Sequence, residues 1–423
     1  MFIIAVNPMM SHVLPTLALA QEIKKRNEEV LYIGEEKTRS WIEGKGFKFR
    51  NIESGEDSKL KKFKKMHKYP ELEVGYKNFH QELFRVLEDF SPDDTFLFPI
   101  SRFDSYFIPA HKAGVRAIAY TASNGSVYAS HRIPPSTSLH IPTQYDSLIV
   151  MSLWARRFIR KYHSLKWNKL KHYYPYDRYR SLSDETGYGR AFTIDGFCLR
   201  IPVICLGPSE LEFGNERDVL FAGLCLQEEY ETREHNQRKM IYCSFGTMSN
   251  RYLKRDRYIV NLVEILRRHP EWDLIISIGD EESRVPIIDC PENVKVFGFV
   301  DQKTVLKNAD LAITHGGYGS IKECIYYETP MIVSPSSYDQ AGNAARVHFK
   351  GIGKKNTLLK KSFVEKIIGK DVFRMGGKIL EKQMVEILSD DKYLNRIIEM
   401  KERILEQEEL LRLVDMLIDV KER

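Results

Sequence analysis

Short apolar runs alternate with longer amphipathic stretches along most of the chain. Residues 2–6 form such a run, residues 13–26 follow with the spacing of apolar positions expected of a helix, and residues 30–33 form a second run that ends at Gly34. A short apolar run before a helical stretch is typical of a buried parallel strand and its crossover helix. The start of the chain therefore predicts the strand–helix–strand unit of a doubly wound α/β domain.

The same alternation recurs in both halves of the chain. In the first half we predict a last strand at 203–206, preceded by strands at 95–98 and 115–120 and by helices at 71–90, 105–113 and within 152–180. In the second half we predict strands that begin at Met240 and lie at 274–278, 294–297, 311–314 and 331–334, with helices at about 252–268 and near 320 and 340.

The charged stretch 224–238 separates the two halves and has no apolar rhythm. Such a composition is typical of an interdomain linker. We therefore predict one domain over residues 1–223 and a second over residues 239–390, followed by an amphipathic helix over 391–423. The fold class that this pattern predicts is α/β, with two doubly wound parallel sheets.

Composition excludes several classes of function. The chain has 423 residues, of which 43% are hydrophobic and 29% are charged, and a net charge of +6 is too small to argue for nucleic acid as a partner. Its six cysteines lie far apart with no Cys-x-x-Cys or Cys/His cluster, so neither a metal site nor a disulfide framework is expected. We expect a cytoplasmic protein, because no apolar stretch is long enough for a signal peptide or a membrane span.

A glycine-rich turn follows the predicted strand 311–314. It reads His315-Gly316-Gly317-Tyr318-Gly319, and a helix is expected to start near Ser320 with Glu323 in its first turn. Such a turn presents backbone N–H groups to an anion, and glycines let a phosphate approach the backbone. Ser320 could cap the helix or donate to a phosphate oxygen, and Glu323 could accept from ribose hydroxyls. The chain has no Gly-x-Gly-x-x-Gly, which disfavours NAD as a cofactor.

His12 stands at the predicted N-terminus of the first helix. The partial positive charge of a helix N-terminus disfavours the imidazolium and keeps a histidine neutral near pH 7. A neutral histidine can act as a general base. The position alone leaves a plainer interpretation open, in which His12 only caps the helix or faces solvent.

The stretch around the glycine-rich turn resembles a known nucleotide-sugar signature. His315-x-Gly317-x-x-Ser320-x-x-Glu323, a Pro-containing strand, and then Asp339-Gln340-x-x-Asn-Ala stand at the spacing found in the UDP-glycosyltransferase-like family, family 1 of the GT-B glycosyltransferases. The resemblance implies two Rossmann-like domains that face a cleft, with the acceptor in the first domain and the donor in the second. It also implies that the C-terminal helix packs back on the first domain.

Two further segments match the donor-binding pattern of the family. Ser244-x-Gly246-Thr247 corresponds to a turn beside the phosphates and sugar of the donor. Phe299-Val300-Asp301-Gln302 matches the base-binding Trp-x-Pro-Gln, with Phe in place of Trp and Asp in place of Pro. The resemblance implies that Phe299 stacks on the base, that Val300 and Gln302 meet its edge, and that Asp339 and Gln340 hold sugar hydroxyls.

The catalytic motif of the family is Pro-x-x-Gly-His-x-x-Pro, and this chain has Pro8 to Pro15 with His12 in place and Ser11 instead of Gly. The resemblance implies that His12 deprotonates an acceptor hydroxyl, which displaces the nucleotide diphosphate from a hexose with inversion and without a metal ion. UDP is favoured over dTDP as the nucleotide. No cofactor is expected, because the nucleotide sugar is a cosubstrate.

The acid that usually partners the catalytic histidine is missing after strand 95–98. The chain has Pro99-Ile100-Ser101 there, and Asp104 is the nearest carboxylate. Asp104 reaches back, or Ser101 or a water takes the role, or His12 works without a partner. The sequence leaves these alternatives open.

The acceptor is expected to be a small, largely apolar molecule or a lipid. Basic and aromatic residues at 59–68 and 154–171 suggest peripheral contact with a membrane, although such runs are more often solvated faces or core packing. Alternative functions are a nucleotide-sugar epimerase of the same fold and a nucleotide-sugar-binding protein with weak catalysis. The oligomeric state is not indicated by the sequence.

Overall fold

The computed structural model describes residues 1–52, 70–163, 182–214, 218–226, 238–246, 255–279, 289–356 and 371–422. Thr247 and the basic stretch 59–68 lie outside these residues. Of the second basic stretch, 154–171, only the part up to residue 163 is described.

The first half of the chain forms a seven-stranded parallel sheet. Its first strands are β1 (Phe2–Ala5), β2 (Val30–Gly34), β3 (Lys48–Asn51), β4 (Thr95–Pro99) and β5 (Arg116–Thr121). An antiparallel pair, β6 (Arg190–Thr193) and β7 (Gly196–Leu199), precedes β8 (Val203–Cys205) and β9 (Val219–Phe221). The strand order in the sheet is β3-β2-β1-β4-β5-β8-β9. The prediction that 203–206 is the last strand of this half is wrong, because β9 extends the sheet beyond β8.

Among the described residues, the helices of this half include α1 (Met10–Lys25), α2 (Arg39–Glu43), α3 (Pro70–Glu88), α4 (Phe103–Lys112) and α5 (Ser147–His163), and residues 182–186 are also helical. The central strands are apolar on both faces, and all four residues of β1 are buried. Parallel strands covered by helices on both sides have this composition. The loops that follow the carboxyl ends of β1, β4 and β5 therefore lie along one edge of the sheet.

The second half forms a six-stranded parallel sheet. Its strands are β10 (Lys239–Ser244), β11 (Trp272–Ser277), β12 (Val294–Phe297), β13 (Leu311–Thr314), β14 (Met331–Val333) and β15 (Gly353–Lys355), in the order β12-β11-β10-β13-β14-β15. The helices are α6 (Arg255–Arg268), α7 (Gln302–Leu306), α8 (Tyr318–Tyr326), α9 (Gln340–Lys350) and α10 (Asp371–Ser389). The two parallel sheets confirm the predicted α/β class.

Helix α8 begins two residues earlier than expected. Its N-terminal cap is Gly317, and no side chain caps it. Ser320 is therefore inside the helix and not at its cap, and Glu323 lies in its second turn. Both side chains remain on the face that the base-binding segment contacts, as described below.

The end of the chain returns to the first sheet. The single helix expected over 391–423 is instead two helices, α11 (Lys392–Glu406) and α12 (Glu409–Glu422), which are separated where Glu408 adopts a φ of 48°. Leu413, Val414 and Leu417 of α12 are buried in the same apolar cluster as Phe2 and Ile4 of β1. Helix α12 is thus part of the core of the first half.

A buried polar interface joins the two halves. Arg346 of α9 forms an ion pair with Glu212 at 2.6 Å, and these side chains are 0% and 2% exposed. Nearby, the backbone N–H of Gly342 donates to Ser136 O at 2.7 Å. A β-carbon at Gly342 would lie 2.3 Å from that oxygen, so only glycine permits this approach. These contacts bring the carboxyl edges of the two sheets together.

Within the described ranges, no helix has both the length and the apolar character needed to cross a membrane.

Candidate functional site

The ring of His315 is enclosed by two glycines from different turns. A β-carbon at Gly246 would lie 2.5 Å from His315 Cε1, and one at Gly317 would lie 2.6 Å from His315 Nε2. The backbone N–H of His315 donates to Ser244 O at 3.3 Å, which ties the turn after β13 to the turn after β10. The three residues that the sequence predicted for the diphosphate, Ser244, Gly246 and His315, are therefore in one place.

Burial controls the charge of His315. It lowers the pKa of His315 to about 4, against a smaller raising effect from the Ser244 backbone and from Asp339. At pH 7 the imidazole is neutral and can donate one N–H. Beside it, the start of α8 carries backbone N–H groups that no side chain caps. A neutral donor next to an uncapped helix start of this kind suits an anionic oxygen.

Polar side chains from three elements meet next to this turn. Gln302 Nε2 donates to Ser320 Oγ at 3.3 Å and also to Glu323 Oε2, and Tyr242 Oη donates to Gln302 Oε1 at 3.4 Å. Gly319, on the same helix, has open space where a β-carbon would be. The structure thus brings together the residues predicted to hold the ribose and the edge of the base.

The segment predicted to seat the base follows β12. Phe299 is 56% exposed, so much of its side chain is open to a ligand. Val300 is half-buried against the apolar core. Asp301, which stands where the family has proline, accepts from Lys303 N at 3.3 Å and from Thr304 Oγ1 at 2.7 Å. Asp301 is the N-cap of α7, and this role accounts for an acid at that position.

Asp339 connects the donor half to the first sheet. Its Oδ2 accepts from Ser123 Oγ at 2.6 Å, across the interface, and from Asn343 Nδ2 at 3.2 Å. Asn343 in turn accepts from Asn124 Nδ2 at 2.7 Å through Oδ1. Asp339 is therefore fixed at the carboxyl edge of β5.

Gln340, the other predicted sugar ligand, is 6% exposed. Its Oε1 accepts from the backbone N–H groups of Ser336 and Ser337, both at 2.9 Å. This side chain holds the loop after β14, and a direct role at the sugar remains a prediction.

His12 lies in the first turn of α1, at the carboxyl edge of β1. Burial lowers the pKa of His12, Asp339 raises it and Arg102 lowers it. The imidazole is thus kept neutral near pH 7 by loss of solvent, while a carboxylate from the opposite half favours its protonated form. Asp339 acts in this way on both His12 and His315.

The charge of Asp104 acts on Cys198. Burial raises the pKa of the Cys198 thiol, and the charge of Asp104 is the next largest cause. The carboxylate that acts on His12 is that of Asp339. A role for Asp104 as the acid partner of His12 therefore remains only a prediction from the sequence.

Exposed apolar side chains lie next to the candidate base in the chain. Met9, Met10 and Leu14 are 39%, 42% and 45% exposed, and they occupy the same turn of chain as His12. Most other apolar side chains of this helix are buried, so the exposed ones at its start form a distinct apolar surface. An apolar molecule would find contact area there.

Four polar residues at the site were not found by sequence reasoning. Ser123, Asn124 and Asn343 form the bridge between the halves, and Asn7 contacts His12. Asn343 stands in the Asp-Gln-x-x-Asn-Ala motif, so its spacing was a signal that could have found it. Asn7 directly precedes the Pro8 to Pro15 motif, whereas nothing in the sequence around Ser123 or Asn124 marks them.

Comparisons with known proteins agree with this arrangement. Residues 257–370 match the model of the glycosyltransferase family 28 C-terminal domain. Oleandomycin glycosyltransferase of Streptomyces antibioticus is 30% identical over 139 residues, which cover 32% of each chain. Zeaxanthin glucosyltransferase of Pantoea ananas is 43% identical over 125 residues, which cover 28% of this chain and 27% of that protein. The chain spans about a third of the length of these curated relatives.

Solved structures share the fold over the whole chain. The glycotransferase of kitacinnamycin has a TM-score of 0.69 at 19% identity, with 99% of this chain and 98% of that chain covered. Glycosyltransferase VinC in complex with dTDP has a TM-score of 0.64 at 15% identity, with 100% and 99% covered. These neighbours and the two facing sheets show the GT-B fold, and the second half of the chain is similar in sequence to the glycosyltransferases named above.

Proposed function

We propose that this protein transfers a hexose from a nucleotide-diphosphate sugar to a hydroxyl group of a small, largely apolar acceptor, with His12 as the general base. The observation that carries the proposal is the position of Asp339. Its charge acts on both His12 and His315, and its carboxylate is hydrogen bonded across the interface to Ser123. One residue of the donor motif thereby links the candidate base with the candidate diphosphate site.

The donor would lie along the carboxyl edge of the second sheet. Phe299 would stack on the base, Gln302 and Glu323 would contact the base edge and the ribose, and the start of α8 would hold the phosphates. The neutral ring of His315 would donate to the departing diphosphate, whose charge the helix start also stabilises. We favour UDP, because curated relatives are named as a UDP-glucuronosyltransferase and a UDP-glucosyltransferase, although a structural neighbour was solved with dTDP.

The acceptor would lie against Met9, Met10 and Leu14. His12 would take the proton of its hydroxyl group as the oxygen attacks the anomeric carbon, and the bond from that carbon to the diphosphate would break. A single displacement of this kind inverts the anomeric configuration. The base and the groups that stabilise the leaving diphosphate all belong to the protein, and the proposal includes no metal ion.

Calorimetric titration of UDP-glucose, UDP-glucuronic acid, dTDP-glucose and free UDP tests the donor site. We expect binding by at least one nucleotide sugar and a weaker affinity in Glu323→Gln. Glu264→Gln, an exposed residue of α6, is the matched control and should bind as the wild type does. Failure of all the nucleotides to bind would contradict the proposal.

Transfer is then measured with the donor that binds and a panel of hydroxylated aromatic, macrocyclic and isoprenoid acceptors. A glycosylated product with inverted anomeric configuration, read from NMR coupling constants, is the expected result. Conversion of the donor to an isomeric nucleotide sugar without acceptor would identify an epimerase. Binding without either product would identify a nucleotide-sugar-binding protein.

A further inference from the structure

A buried asparagine lies beside the candidate base. Asn7 follows β1 and is 4% exposed. Its Nδ2 is 3.3 Å from His12 Nδ1 and 3.3 Å from Ser101 Oγ, which follows the neighbouring strand β4. The side chain therefore lies between the imidazole and Ser101, at the carboxyl ends of adjacent strands.

The amide of Asn7 is not fixed in one orientation by other contacts. Among the described residues, the remaining atom of the amide, Oδ1, has no hydrogen-bond partner. The nitrogen and oxygen of an asparagine amide have nearly the same shape, and the bonds that each orientation permits decide between them. Rotation of the amide by half a turn therefore breaks no bond on its far side.

The two orientations give His12 opposite tautomers. If Nδ2 faces the ring, it donates to Nδ1, and the single proton of the neutral imidazole lies on Nε2. If Oδ1 faces the ring, it accepts from the N–H at Nδ1, and Nε2 carries the lone pair. In the second case, Ser101 Oγ–H also donates to the same oxygen. Of the two ring nitrogens, Nδ1 is occupied by Asn7 in either case, so only Nε2 can take a proton from a substrate.

We propose that Asn7 is the positioning residue of His12: its Oδ1 accepts the Nδ1–H of the imidazole and leaves the lone pair of Nε2 available as the base. This inference rests on the proposed role of His12. When the O–H bond of the acceptor breaks, the proton forms a new N–H bond at Nε2, and the electron pair of the broken bond stays on the attacking oxygen. The Nδ1–H bond to Asn7 is kept throughout and becomes charge-assisted.

An amide at this position has a different consequence from an acid. Asn7 orients the ring but adds no negative charge to a buried site, where an unpaired carboxylate would be costly. The charged groups that act on His12 are Arg102, which follows β4, and Asp339, from the donor half. Orientation is thus supplied by the first domain, and the compensating charge by the second.

Nitrogen-15 NMR of protein labelled at histidine measures the tautomer directly, and His12→Gln assigns the signal. Above the pKa of His12, we expect the wild type to carry its proton on Nδ1. Asn7→Leu, which is similar in shape but cannot accept, should lose this preference, and Asn7→Asp should retain it. A wild-type His12 with its proton on Nε2 would overturn the inference.

Kinetics supply a second readout. We expect Asn7→Leu to lower kcat by about 10- to 100-fold with little change in KM for the donor, which is the pattern for loss of a transition-state interaction. Asn7→Asp should recover most of the rate and move the acidic limb of kcat/KM to higher pH, because a negative charge beside His12 raises its pKa. Asn395→Leu, an exposed position of α11, controls for the substitution. A rate in Asn7→Leu equal to that of the wild type would contradict the inference.

The two measurements separate failure of this inference from failure of the proposed function. The tautomer is read in the free protein, without any donor or acceptor. A protein that transfers sugar but holds His12 with its proton on Nε2 contradicts the role of Asn7 alone. A protein with the expected tautomer and no transfer activity contradicts the proposed function.

Discussion

The carboxyl edges of the two sheets are built in different ways. At the donor edge, the contacts join residues of one domain, such as Gln302 with Glu323 and Gly246 with His315. At the catalytic edge, contacts join distant residues: Asn7 with Ser101, and Ser123 with Asp339. The donor edge is thus largely complete within one domain, whereas the catalytic edge depends on the opposite domain. A short motif can specify the first arrangement, but the second requires the assembled fold.

The largest expected effect breaks the catalytic edge alone. His12→Ala should lower the transfer rate by about 10²- to 10⁴-fold, the usual contribution of a general base. Donor affinity should not change, because the donor site lies in the other domain. Calorimetry and initial rates measure the two quantities, and His131→Ala, an exposed histidine, is the control. Transfer near the wild-type rate would remove His12 from the mechanism.

The contact between the two edges is tested by the buried ion pair. Arg346→Met leaves Glu212 buried without its partner and should lower the free energy of unfolding by about 3–5 kcal/mol. Arg346→Met combined with Glu212→Gln should recover part of this loss. Chemical denaturation measures both variants.

Arg39→Met, which breaks an exposed ion pair with Glu43, is the control for Arg346→Met. It should change the free energy of unfolding by at most about 1 kcal/mol. Equal losses in Arg39→Met and Arg346→Met would mean that the buried pair has no special role in joining the halves.

Two glycines in the same turn sharpen the description of the donor edge. Gly317→Ala would force a β-carbon against His315 and should destabilise the fold by about 1–3 kcal/mol. Gly319→Ala meets open space within α8 and should stabilise the free protein by up to about 1 kcal/mol. Both should weaken donor binding if phosphates lie against this turn. Thermal unfolding without donor measures the change in stability, and calorimetry measures the change in donor affinity. Unchanged affinity in both variants would place the phosphates elsewhere.

The smallest expected effect concerns the charge of Asp339, which acts on His12 from the opposite domain. Asp339 raises the pKa of His12, so Asp339→Asn should lower that pKa. The base would then stay deprotonated to lower pH, and the acidic limb of kcat/KM should move in that direction. Asp301→Asn removes the same charge from the donor half and should leave the limb in place. An unmoved limb in Asp339→Asn would show that this carboxylate does not act on His12.

Much of the fold could be predicted because apolar runs mark buried parallel strands. The run at 311–314 coincides with β13, and 294–297 with β12. The pair β6 and β7 was missed, because their apolar residues fall in runs of only two and three, 191–192 and 197–199. The turn at Glu408 was also missed. The amphipathic pattern continues across it, and a glutamate, unlike a glycine, does not indicate a positive φ.

The candidate site divides along the same line. The donor motif keeps its spacing in the sequence, so the positions of His315, Ser320 and Glu323 could be predicted together. The bridge between the halves could not, because Ser123 lies 216 residues from Asp339, and Asn124 lies 219 residues from Asn343. Such pairs are chosen by the packing of the domains, and no local pattern records them.

The burial of α12 in the first domain also has a consequence for synthesis. Three of its apolar side chains complete a core that begins with Phe2, so that core is open until residues 409–422 have been made. Translation at roughly 5–20 residues per second would leave the nascent first domain without this helix for about 10–40 s after residue 223. During that time apolar surface on α1 and β9 is exposed to chaperones and to other nascent chains.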